Sequence, residues 1–189
     1  MAAIPDLNRQ PEGPLLERLE QRVLLSGVVT VALVKGVLVI TGDEQDNQVS
    51  LTTSGQPAGT IKVTGVSGTT IHGPTTPAVP TGQVRIVLKG GNDEAQLEAC
   101  AALKGVQVDG GAGDLDLALF SGTQVLSGGV SIKDSGSATV LVRGALINGG
   151  VTIKSAEAHT TIDTISTLTG PFVLASWLFL LPGQKVGQD

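Results

Sequence analysis

The chain has 189 residues, a net charge of −5 and a sequence pI of about 4.9. That length suits one domain with a continuous core. The acidic balance argues against a nucleic-acid surface, which needs clustered Lys and Arg to displace counterions, and the twelve basic residues read as scattered. With three Phe, one Trp and no Tyr, the interior falls to Val, Ile, Leu and Ala; 26 Gly, against a usual share of about 7%, imply many tight turns. Turns and β-branched residues together predict an all-β protein.

Residues 1–14 carry three prolines and a glycine and read as a flexible lead. Leu15, Leu16, Leu19, Val23 and Leu24 follow near helical spacing with Glu17, Arg18, Glu20 and Arg22 between them, so a short amphipathic helix is expected over 15–25, stopped by Ser26-Gly27. From Val28 the period falls to two. Short apolar, β-branched segments then recur about every 22 residues, at Leu38, Ile61, Val84, Val106, Val130 and Val151. The copies Gly128-Gly129-Val130-Ser131-Ile132-Lys133 and Gly149-Gly150-Val151-Thr152-Ile153-Lys154 differ only by Ser for Thr. A fixed repeat of this size signals stacked units, none able to bury its apolar face alone.

The expected architecture is therefore a right-handed parallel β-solenoid (β-helix) of about six coils, with a short N-terminal helix and a C-terminal cap. Its divisions are 1–27 (lead and export or capping helix), 28–170 (solenoid) and 171–189 (apolar cap or tail). Within coils the inward sets are Val106, Val108, Leu115, Leu117 and Leu119, then Val130, Ile132, Ala138, Val140 and Val142. Pro74, Pro77 and Pro80 mark Gly73 to Gly82 as a loop bulging from the ladder, because proline cannot donate to it. The apolar run after Pro171 is shorter than the roughly 18 residues of a membrane-spanning helix, and no other run reaches that length.

Acidic residues gather in successive turns: Asp43, Glu44 and Asp46; Asn92, Asp93 and Glu94; Asp109, Asp114 and Asp116; and Asp134. Stacked oxygen ligands suit calcium, and Asp93, Asp114 and Asp116 are the residues expected to hold it; plain solvation of an apolar coil is the alternative. Gly90-Gly91-Asn92-Asp93 and Gly110-Gly111-Ala112-Gly113-Asp114-Leu115-Asp116-Leu117 resemble the repeats-in-toxin nonapeptide, whose β-roll is filled with calcium. In this chain Leu115 stands where the motif's Asp belongs, with a carboxylate on either side.

The segment Leu16-Glu17-Arg18-Leu19-Glu20-Gln21-Arg22-Val23-Leu24-Leu25-Ser26 resembles the LEPR-XLL segment that heads large bacterial secreted and surface proteins. Leu19, Glu20, Arg22, Leu24 and Leu25 match it, and Gln21 replaces its proline. The resemblance implies export, an extracellular or cell-surface location and a sorting role for those five residues.

Catalytic patterns are sparse. There is no G-x-S-x-G elbow, His72 and His159 lie in different coils, and Cys100, with no partner for a disulfide, reads as a small buried residue. The leading expectation is a non-enzymatic structural or adhesive module that meets cell-envelope or extracellular-matrix components, with calcium stiffening its turns. One alternative is a polysaccharide-active lyase or hydrolase using Asp93, Asp114 and Asp116 with Arg85 or Lys104. Another is a truncated piece of a larger surface repeat protein.

Overall fold

The computed structural model describes residues 27–163, 166–174 and 178–180. These residues contain no helix, so none is long and apolar enough to cross a membrane. Strands β1 (Val28–Val34) and β2 (Val37–Thr41) form an antiparallel hairpin through Lys35 and Gly36, both at positive φ as a two-residue hairpin turn requires. β3 (Gln48–Thr52) pairs antiparallel with β4 (Lys62–Gly65), and the short β5 (Thr70–His72) lies parallel to β1.

Beyond this end the chain winds as a three-sided parallel coil of about four turns. The first comprises β6 (Gln83–Val87) and β7 (Gly90–Glu98), the second β8 (Gly105–Leu119) and β9 (Gln124–Val125). The third holds β10 (Val130–Asp134), β11 (Ser137–Val142) and β12 (Leu146–Asn148); the fourth holds β13 (Val151–Lys154), β14 (Glu157–Ile162) and β15 (Thr167–Thr169). β16 (Phe172–Leu174) and β17 (Leu178–Leu180) add rungs to the first two sheets. β8 serves both sheets by turning the corner within one strand, with 105–109 paired to β6 and 114–119 to β11.

Like residues stack over like because every inward side chain must meet another inward side chain one rung away. In the first sheet Leu38, Val84, Val106, Val130, Val151 and Phe172 form one column; Ile40, Ile86, Val108, Ile132, Ile153 and Leu174 form the next. In the second sheet Leu51, Leu97, Leu119, Val142 and Ile162 align, and in the third Leu103, Val125, Ile147 and Leu168. Except for the partly buried Phe172, Leu174 and Leu168, these side chains are at most 3% exposed. Each contributes about 1.5–3 kcal/mol by leaving water. Close approach at the corner between the first two sheets requires glycine: a Cβ on Gly136 would collide with the carbonyl oxygen of Gly113, and one on Gly113 with that of Gly91.

Two expectations change. Ile61 does not begin a coil, so six coils become about four turns. The Leu38 rung pairs directly with the Val84 rung, and the chain between them folds back on itself. Its β4 runs antiparallel on β3, and the 73–82 segment does not simply bulge out. Val63 and Ile61 donate to the carbonyls of Thr75 and Pro77 at 2.7 and 3.1 Å, and Pro77 and Val79 are buried. This segment runs alongside residues 59–63, with Thr60 and Ala78 in an antiparallel bridge. The helix expected over 15–25 falls outside the described residues, and within the apolar tail the described strands continue the ladder.

Candidate functional site

At the first corner, Asn47 and Asp93 form a buried polar contact between adjacent turns. The Asp93 Oδ1 accepts from the Asn47 backbone N–H at 2.9 Å and from its Nδ2 at 3.2 Å; Nδ2 also donates to the carbonyls of Gln45 and Asp43. Asn47 fits because Gly27 and Gly42 have no Cβ to occupy its place. The Asp93 Oδ2 and Asn47 Oδ1 atoms are buried without a hydrogen-bond partner. Burial pushes the Asp93 carboxyl up to about 7, against the pull of the two Asn47 bonds, and the carboxylates of Asp46 and Asp43 add to the rise. A proton on Oδ2 turns that orphaned oxygen from an acceptor into a donor.

Asp43 behaves in the opposite way. Burial would raise it, but the backbone N–H groups of Val28 and Gln45 bind its carboxylate at 3.0 and 3.1 Å and hold it below the usual range. Asp134 occupies an inward position over Gly110. Burial raises its carboxyl, opposed by the N–H groups of Gly136 and Ser135 and assisted by Asp114 and Asp109.

The three carboxylates expected to share calcium do not converge. Asp93 is registered with Leu115 and faces the core, whereas Asp114 and Asp116 flank Leu115 and point out from β8. Among the described residues no three His, Cys, Asp or Glu side chains gather as a metal-binding group. This donor set does not fit the ion. The five residues of the export-type segment, Leu19, Glu20, Arg22, Leu24 and Leu25, lie outside the described residues. His72 and His159 are exposed on β5 and β14. Cys100 is buried, its Sγ donates to the Leu51 carbonyl at 3.1 Å, and burial pushes its thiol up to about 12, so it is an unreactive core residue.

The feature missed in the sequence is a division of charge between faces. The outward positions of the second sheet carry Glu94, Glu98, Asp114, Asp116 and Glu157, with Lys62 on β4 and Arg143 just past β11 as the basic members. Those of the first sheet carry Arg85, Lys133 and Lys154, with Lys35 and Lys104 beside its strands and Asp109 as the acidic member. Lys133 pairs with Asp109 at 3.5 Å. Basic residues that read as scattered are brought together because several are separated by about one coil. That spacing was the available signal.

A groove of ≈ 360 Å³ crosses the first sheet near the start of its strands. Val34 and Lys35 of the β1–β2 hairpin wall one end; Gln83, Arg85, Lys104, Gln107 and Ser131 line its course, with Val37 and Val39 on the floor. It is hollow where Gly105 and Gly128 place no side chain. No protein-family model matches this chain. Comparisons with curated proteins and with solved structures also give no match.

Proposed function

We propose that the chain is a non-catalytic scaffold or adhesive module of the exported, surface-associated kind, coiled in the right-handed sense that parallel crossover connections take. The observation that carries this reading is the uneven sorting of charge onto two faces of one stacked coil, mainly basic on the first sheet and mainly acidic on the second. Such a rod offers extended, regularly spaced contacts to cell-envelope or extracellular-matrix components. The non-catalytic reading is supported by the separation of the residues considered for glycan cleavage: Asp93 faces inward, Asp114 and Asp116 face out from the second sheet, and Arg85 and Lys104 line the first-sheet groove. Export rests on the resemblance of residues 16–26 to the LEPR-XLL segment.

Labelling intact native cells with a membrane-impermeant amine reagent tests the reading. Labelled protein in the surface or secreted fraction is the expected result. Protein found unlabelled in the cytosol alone would overturn it.

A further inference from the structure

We propose that the groove across the first sheet binds an extended acidic polysaccharide through Lys35, Arg85 and Lys104. The inference deepens the adhesive reading above and rests on it for the absence of cleavage. Gln83 and Gly105 are neighbours on adjacent rungs, and where Gln83 projects outward Gly105 leaves a gap that Gly128 extends. The groove reaches from β2 through β6 and β8 to the start of β10. Four rungs span about 14 Å along the coil axis, a length suited to a chain segment rather than a single small anion.

Its charge is one-signed. Three cations line it with no carboxylate, in a chain whose net charge is −5. Among the described residues the ion pairs are Lys133–Asp109 and Arg143–Asp163, so the three groove cations lack an acidic partner there. The Arg85 guanidinium presents a planar fork suited to a carboxylate, while the lysines supply mobile point charges. Gln83 and Gln107 amides and the Ser131 hydroxyl add donors and acceptors for sugar hydroxyls. No aromatic ring lines the groove, which removes the stacking platform that nucleobases and neutral sugar rings use. Without a lining carboxylate, the groove also has no carboxyl acid or base to break a glycosidic bond.

The test is calorimetric titration of the full chain with polygalacturonate at low and high salt. Fully methyl-esterified polygalacturonate, poly-glutamate and oligo-deoxythymidylate serve as competitors. Expected are binding that weakens with salt, no binding of the esterified polymer, and about tenfold weaker affinity for the R85Q/K104Q variant. Gly105→Glu should weaken binding comparably, because its Cβ meets nothing closer than 3.6 Å and the added carboxylate enters the groove without displacing backbone. K154Q, outside the groove, should bind as the parent does. Unchanged circular dichroism in each variant separates lost binding from lost folding. Absence of polygalacturonate binding, affinity indifferent to R85Q/K104Q and Gly105→Glu, or stronger binding of poly-glutamate or the oligonucleotide would overturn the proposal. New reducing ends during incubation would contradict the non-catalytic reading, while weaker binding by R85Q/K104Q would still assign the polymer to the groove, so the two fail separately.

Discussion

The parallel turns from Gln83 onward and the antiparallel end formed by residues 27–79 bury the same kinds of residue by different means. In the turns, each backbone group finds its partner one coil away, so register repeats and the sequence must repeat with it. At the end there is no earlier described turn to pair with. The chain supplies its own partners there by reversing direction: β1 on β2, β4 on β3, and the 73–82 segment against β4. Repetition is therefore a consequence of stacking, and its loss marks where stacking stops.

The largest expected effect breaks the stacked corner. Gly136→Ala places a Cβ against the Gly113 carbonyl, and urea unfolding should show a loss of about 3 kcal/mol or more. The Asp93 contact joins the two regions and makes their coupling depend on pH. Its folded pKa lies above the ordinary carboxyl value, so the folded state binds the extra proton between about 4 and 7. Its contribution is full below that window and is lost as pH rises through it. Asp93→Asn should remove this dependence, leaving the variant more stable than the parent by up to a few kcal/mol above pH 7 and similar to it in acid, as read by melts across pH. The lowered Asp43 acts oppositely, losing its contribution as pH falls through its folded pKa, and is common to both chains.

A smaller effect is expected in the antiparallel end. Gly59 has φ +75 and open space around its missing Cβ, so Gly59→Ala should cost only the left-handed strain of about 1–2 kcal/mol in the same urea assay. The smallest is calcium. Because Asp93 is turned away from Asp114 and Asp116, thermal melts in EDTA and in millimolar calcium should coincide; a higher midpoint with calcium would mean that the folded state binds the ion.

How much of this was legible follows from the same contrast. Val84, Val106, Val130 and Val151 were visible as rungs because each stacks on the next and so resembles it. Ile61-Lys62-Val63 has the same local pattern, yet Val63 pairs antiparallel with Leu51; alternation reports which side faces inward and is silent about the neighbour's direction. Asp93 read as a turn carboxylate, but one position of register separates an outward carboxylate from an inward one, and Asp93 aligns with Leu115. The first-sheet groove needed the fold, since Lys35 arrives from a hairpin while Arg85 and Lys104 come from different turns.

The parallel, in-register stack itself is tested most directly by paired cysteines on the outer second-sheet face. Asp116 and Thr139 are rung neighbours, whereas Leu141 lies two residues further along β11. Adjacent strands lie about 4.8 Å apart, a separation that a disulfide can bridge. Under mild oxidation D116C/T139C should cross-link readily and D116C/L141C should not, with the buried Cys100 silent in both. Equal cross-linking of the two pairs, or preference for the second, would contradict the register on which the coil and its charged faces depend.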